Sequence, residues 1–265
     1  MIKRVKYYII SGRVIEERHT TLSARSCDSF KKRRAPRRAG ASSERKIAAN
    51  EQEAVRRLAR LINCNFGRGD IFLTRKYSAK TLPETFEAAE KEMTKTLRKL
   101  KAAYKAKTGE SLKYIWVPSQ TDADTGKPAR FHHHLLFDRT AADLLVTLCE
   151  DADEIDMRVL NGKGDYTGIA RYIILNGKGG DPNKKRWRSS RNLDKPIFTE
   201  PEEIAEITPI EAPAGVEIRE NNLQMDEETG MASAYCRFVM TERPRMRGHS
   251  FEIPKPKKRG GRRKE

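Results

Sequence analysis

Three of the five histidines in this chain of 265 residues stand side by side, in Arg130-Phe131-His132-His133-His134-Leu135-Leu136-Phe137. The run has strand character, and side chains along a strand alternate between two faces. His132 and His134 therefore share one face, and His133 takes the other. Two imidazoles two residues apart on a rigid strand can grip one divalent cation, because neutral imidazole is the commonest metal ligand. The competing reading is a polar strand with three solvated histidines, or with one histidine satisfied in a core. Leu135, Leu136 and Phe137 require burial while the histidines do not, and the spacing favours a metal site over that alternative.

Charge points to the partner. The chain carries 54 Lys+Arg against 37 Asp+Glu, a formal net charge of +17, with a sequence pI near 9.8. A field of that sign attracts phosphate backbones and supplies salt-dependent affinity for nucleic acid. The charge is clustered: Lys31-Lys32-Arg33-Arg34 with Arg37-Arg38, then Lys184-Lys185-Arg186-Trp187-Arg188, then Lys255 to Lys264. Blocks of this kind favour nucleic-acid contact over a merely soluble surface.

Length and cysteine usage narrow the class further. A chain of this size accommodates one domain of about 150–200 residues with extensions. Cys27, Cys64, Cys149 and Cys236 form no C-x-x-C pair, so they read as reduced thiols of a cytoplasmic protein rather than a zinc ribbon or disulfide framework. No apolar run approaches the ~20 residues needed to span a bilayer. Residues 1 to 11 lack the apolar core and cleavage site of a signal peptide.

The pattern along the chain predicts a basic N-terminal arm over 1–48, a central domain over 49–200, an extension of unknown role over 201–253 and a disordered basic tail over 254–265. Val55, Leu58, Leu61 and Ile62 lie at helical spacing. Asp70 to Thr74 reads as a buried strand bounded by Gly67 and Gly69. Pro83, a residue favoured in a first helical turn, opens a helix whose apolar stripe is Phe86, Met93, Leu97, Leu100 and Tyr104, ending near Gly109. Tyr114 to Val117 reads as a strand stopped by Pro118, forming a hairpin with the histidine strand at 131–137. A helix over 141–150, a strand over 157–160, a short helix over roughly 167–175 and a late strand over 235–240 follow. Strand–helix–strand–strand–helix is the pattern of a ferredoxin-like α+β unit, a central antiparallel sheet with helices packed on it.

A histidine-held metal beside a basic surface suggests work on a phosphodiester, where a cation stabilises the charge developing on the phosphate. A nucleophile is then needed. Asp165-Tyr166-Thr167-Gly168-Ile169-Ala170-Arg171-Tyr172-Ile173-Ile174-Leu175 offers two tyrosines. A tyrosine hydroxyl that attacks phosphorus forms a covalent phosphotyrosine and conserves the bond energy for rejoining. Tyr172 also reads as a core aromatic on an amphipathic helix.

Taken in order, these segments resemble rolling-circle replication initiators of the HUH endonuclease superfamily, found in bacterial plasmids, phages and mobilisable elements. The resemblance runs from about residue 30 to 198. Gly69-Asp70-Ile71-Phe72-Leu73-Thr74 is similar to the first family motif. His132-His133-His134 is similar to the His-hydrophobic-His motif, with histidine in the middle. Ile169-Ala170-Arg171-Tyr172 resembles the tyrosine helix, and Arg186 to Pro196 the basic stretch that follows it. Two departures stand out. The lysine usually found three residues after the family tyrosine is replaced by Leu175, and the nearest lysine is Lys178. The glutamate that relatives often carry as third metal ligand is replaced by Pro118-Ser119-Gln120, which makes Gln120 the candidate and Ser119 the second choice.

The resemblance implies an HUH endonuclease fold and metal-dependent nicking of single-stranded DNA at a replication origin. Tyr172 would be the nucleophile, with Tyr166 as runner-up and Lys178 as the accompanying cation. His132, His134 and Gln120 would hold Mg²⁺ or Mn²⁺. Arg171, Lys184, Lys185, Arg186, Arg188 and Arg191 would contact DNA. A host polymerase and helicase are implied partners, and a membrane or small-molecule substrate is not. Two other readings share these features: a related transposase or relaxase, and a non-catalytic nucleic-acid-binding module in which Phe72 and Trp116 stack on bases.

Overall fold

The computed structural model describes residues 2–23, 44–121, 127–149, 154–177, 187–226, 230–247 and 250–252. Its contacts divide the chain into one unit of residues 1–41 with 196–265 and a second of residues 42–195.

The arm expected over residues 1–48 is replaced in its first half by a β-hairpin. Strand β1 (Ile2–Ser11) pairs antiparallel with β2 (Val14–Ser23), with Ile10 opposite Ile15 and Ser11 opposite Val14. The two-residue connection puts Gly12 at φ 64, a left-handed conformation that a side chain disfavours and that suits the tight turn of a hairpin. Val5, Ile9, Ile10, Val14 and Ile15 are buried. Their burial outweighs the charge of the intervening lysines, arginines and glutamates that made the segment look like a solvated arm. Residues 24–43, with the Lys31 to Arg38 cluster and Cys27, lie outside the described residues.

Among its described residues the second unit holds four helices and a five-stranded sheet. In chain order they are α1 (Glu44–Asn65), β3 (Ile71–Lys76), α2 (Phe86–Thr108), β4 (Ile115–Thr121), β5 (Pro128–Phe137), α3 (Arg139–Leu148), β6 (Glu154–Val159), α4 (Thr167–Asn176) and the short β7 (Arg188–Ser189). The sheet order is β6-β3-β5-β4-β7, with every pairing antiparallel. The succession β3-α2-β4-β5-α3-β6, with β5 lying between β3 and β4, is an α+β arrangement compatible with a ferredoxin-like fold.

Local chemistry sets the helix ends. Thr85 caps α2 by accepting the Ala88 N–H at 3.1 Å, so the helix begins after Pro83 instead of including it. The hydroxyl satisfies an orphan first-turn donor, which a proline cannot do. At the other end Gly109, at φ 77, returns its N–H to Lys105, a left-handed stop. Asp138 caps α3 through the Ala141 N–H at 2.9 Å and accepts a hydrogen bond from the Tyr104 hydroxyl.

Pro118 does not stop β4, which continues to Thr121. Strand β7 pairs with β4 only at Ile115 and Trp116. Beyond them, among the described residues, β4 has a neighbour on one side alone, the edge setting in which a strand tolerates proline.

Both faces of the sheet are covered. Phe72, Ile115, Val117 and Leu136 pack with Val55, Leu58 and Ile62 of α1 and Ala170, Ile173 and Ile174 of α4. Ile71, Leu73, Trp116, Leu135 and Phe137 pack with Met93, Leu97 and Leu100 of α2 and Ala141 and Leu145 of α3. Leu135, Leu136 and Phe137 are completely buried, each contributing about 1.5–3 kcal/mol of apolar transfer. The consecutive triplet is apolar because the strand is buried on both sides.

In the first unit β8 (Ile197–Phe198), β9 (Glu202–Glu203), β10 (Glu217–Met225) and β11 (Ala232–Val239) join the N-terminal hairpin. The sheet order is β10-β11-β2-β1-β8, with β9 also on β1. β12 (Arg245–Arg247) and β13 (Ser250–Glu252) pair separately. Ile10, Ile15, Cys236, Phe238 and Met240 form the core. The expected late strand is present but begins at Ala232, and the expected tail over 254–265 lies outside the described residues. Among the described residues Cys64, Cys149 and Cys236 form no disulfide. Among the described residues no helix is long and apolar enough to cross a membrane.

Candidate active site

Strand β5 presents its three histidines as the alternation requires, with different surroundings on each side. Thr74 lies opposite His134, and Lys76 opposite His132, on β3. Val117 and Ser119 occupy the corresponding positions on β4. These residues, with Phe72, make the face that α1 and α4 cover.

His133 faces the other way and is fully buried. Its Nδ1 accepts the Trp116 indole N–H at 3.1 Å. An indole N–H only donates, so the imidazole proton sits on Nε2 and is given to the Tyr77 hydroxyl, 2.8 Å away. Tyr77 in turn donates to the Ala89 carbonyl at 3.4 Å. Burial first, and then the Arg75 guanidinium, hold His133 well below the usual histidine pKa. It is a neutral, satisfied core residue.

His132 and His134 differ. Their ring centroids are 4.8 Å apart with the planes at 82°, close enough for one nitrogen of each to reach a shared ion at about 2.0–2.1 Å. His132 Nδ1 donates to the Arg130 carbonyl at 2.8 Å, which leaves the ring's lone pair on Nε2. His134 Nδ1 lies 3.1 Å from the Thr74 hydroxyl, while its Nε2 is buried with no hydrogen-bond partner. Burial, then His132, then Arg158 push the His134 pKa down to about 3. Its lone pair is therefore not protonated at neutral pH. A buried, unsatisfied nitrogen costs about 1–3 kcal/mol, and its unprotonated lone pair is of the kind that can bind a metal ion. Among the described residues no group of three or more His, Cys, Asp or Glu side chains converges as a metal site, so the protein nitrogen donors here are the two imidazoles.

Tyr172 completes the cluster. Its ring sits edge-on to His134 at 5.1 Å and 73°, and to Phe72 at 5.8 Å and 86°. Phe72 itself stacks on His134 at 5.6 Å and 13°. Helix α4 aims Tyr172 at the sheet because Ala170, Ile173 and Ile174 are buried against α1, and Asp165 Oδ1 fixes the helix start by accepting from the Thr167 N–H and hydroxyl. Tyr172 is half-buried. Tyr166 is only 4% exposed and belongs to the core packed beneath α1, and its backbone N–H is held by Asn63. Tyr166 is the cap residue before the helix, which spans Thr167–Asn176, so helical spacing does not relate the two tyrosines. Both pack on the core beneath α1, and Tyr172 meets the His134 ring.

The other expected residues are more scattered. Register places Ser119, the second-choice ligand, opposite His132, whereas half-buried Gln120 falls at the irregularity between Ser119 and Thr121. Arg171 and Arg191 are exposed. Arg188 is engaged within the fold, 2.6 Å from Glu90 and stacked over the Trp116 ring at 4.8 Å. Lys178, Lys184, Lys185 and Arg186 lie outside the described residues. Phe72 and Trp116 are both buried and on opposite faces of the sheet, so they form no stacking platform. Thr74 and Lys76, neighbours of the histidine pair, carry no local sequence signal, since only the β3–β5 register brings them there. A scan of protein-family models and searches of curated proteins and of solved structures gave no match to this chain.

Proposed function

We propose that this face cleaves single-stranded DNA by transferring a phosphodiester to Tyr172, in the manner of an HUH-type rolling-circle initiator. The observation that carries the reading is Tyr172 set edge-on to His134, whose buried Nε2 has no protein partner. The antiparallel strand order, the motif order and the +17 charge support it. Tyr172 Oη attacks phosphorus and loses its proton, the bond from phosphorus to the 3′ oxygen breaks, and that oxygen takes up a proton. The products are a 5′-phosphotyrosyl link and a free 3′-OH, suited to priming a polymerase at an origin. His132 and His134 would hold a divalent cation, Mn²⁺ fitting imidazole better than oxygen-preferring Mg²⁺, and the cation would polarise the scissile phosphate. His134, kept neutral by burial, stays a competent ligand, and Phe72 holds its ring plane.

The test is a denaturing gel of purified protein, Mn²⁺ and labelled single-stranded origin DNA. A covalent band that disappears in Tyr172→Phe supports the reading. An adduct that survives Tyr172→Phe, or a wild-type protein that binds DNA without forming one, refutes it, the latter favouring a non-catalytic binding module.

A further inference from the structure

We propose that Lys76 is the catalytic cation that contacts the scissile phosphate, with Glu154 holding it in the absence of DNA. The inference rests on the reading of the site given above.

Lys76 is opposite His132 in the β3–β5 ladder, where facing antiparallel residues have Cα atoms about 4.5–5.5 Å apart. Its side chain emerges on the histidine face. Two and four residues earlier on the same strand, Thr74 meets His134 Nδ1 and Phe72 stacks on the His134 ring, and a strand repeats every two residues. Arg75 between them points to the other face and spends its guanidinium on Thr96 and Met93.

Lys76 Nζ is 2.6 Å from Glu154 on β6, with side-chain exposures of 48% and 70%. An exposed ion pair of this kind is worth about 0–1 kcal/mol, so a phosphate oxygen can take the carboxylate's place at small cost and gain a charge-assisted hydrogen bond. Among the described residues Arg188 is held by Glu90 and the Trp116 ring on the other face of the sheet, while Arg158 makes an exposed 3.4 Å pair with Asp156 on its own strand. One turn beyond Tyr172 on α4 the side chain is Leu175, which carries no charge. Phosphoryl transfer builds negative charge on the non-bridging oxygens, and one positioned donor in such a site is worth about 10²–10³ in rate.

The experiment measures single-turnover adduct formation with Mn²⁺ and labelled single-stranded DNA for wild type, Lys76→Met and Lys76→Arg, alongside thermal melts. Lys76→Met is expected to slow the reaction about 100-fold with an unchanged melt, and Lys76→Arg to recover most of the rate. An active wild type matched by Lys76→Met overturns the role of Lys76 alone, as does a loss that Lys76→Arg fails to reverse. A wild type that forms no adduct removes the nuclease reading and this inference together.

Discussion

His133 and His134 are adjacent and chemically identical, yet the two faces of β5 put them to opposite uses. On the α2/α3 side, Trp116 and Tyr77 take both nitrogens of His133, and the ring becomes a cross-brace tying β5, β4 and α2. On the α1/α4 side His134 is equally buried, but one nitrogen is left unsatisfied beside Tyr172. Burial alone therefore does not distinguish the two rings. The state of the second nitrogen does, because a buried polar atom left without a partner costs about 1–3 kcal/mol.

Breaking the functional face has the largest expected effect. Replacing His132 and His134 together by alanine should lower Mn²⁺-dependent nicking at least 100-fold and abolish calorimetric Mn²⁺ binding, with circular dichroism unchanged. Unaltered Mn²⁺ affinity in the double variant would place the ion elsewhere.

Breaking the structural face should cost stability instead. His133→Leu leaves the Trp116 indole N–H without its acceptor, at about 1–3 kcal/mol, and takes from the Tyr77 hydroxyl one hydrogen bond worth about 1 kcal/mol, the one to Ala89 remaining. A destabilisation near 3 kcal/mol in urea is expected. His134→Leu removes one nitrogen already unsatisfied and one contact to the part-buried Thr74 hydroxyl, and should change stability by about 1 kcal/mol. Equal losses from the two substitutions would erase the distinction between the faces.

Much of this site was legible in the sequence, and the remainder was not for definable reasons. The strand period alone assigned His132 and His134 to one face, whereas helical spacing could not relate Tyr166 to Tyr172, because Tyr166 caps the helix instead of lying within it. The α2 stripe through Met93, Leu97, Leu100 and Tyr104 was visible because those residues are buried against the sheet. Contacts made across the ladder left no local trace. Tyr77 lies 56 residues from His133, and Lys76 meets His132 only through register. β10 escaped because its residues are mostly polar and exposed, so its pairing with β11 rests on backbone bonds more than on an apolar pattern. Pro118 misled because a proline is read as a stop unless the strand is known to be at an edge.

A smaller effect distinguishes the faces only jointly. Both buried histidines have pKa values lowered in the fold, so below the unfolded value of about 6.5 the unfolded chain binds protons that the folded chain does not. Stability is therefore complete well above pH 6.5 and declines as the pH falls, by about 2 kcal/mol at pH 5 for His134, with His133 acting in the same direction. With chelator present, His134→Leu should remove the His134 share of that dependence and leave the His133 share. A stability that is flat between pH 7 and 5 would contradict the burial of both rings.

The central claim, that the His134 face is served by Tyr172, is tested most directly by locating the DNA on the protein. Trypsin cuts after Arg171 and so separates Tyr166 and Tyr172 onto different peptides. Mass spectrometry of the nuclease-trimmed adduct should find the nucleotide on the peptide from Tyr172 to Lys178. A nucleotide on the peptide from Gly164 to Arg171 would make Tyr166 the nucleophile and contradict the account.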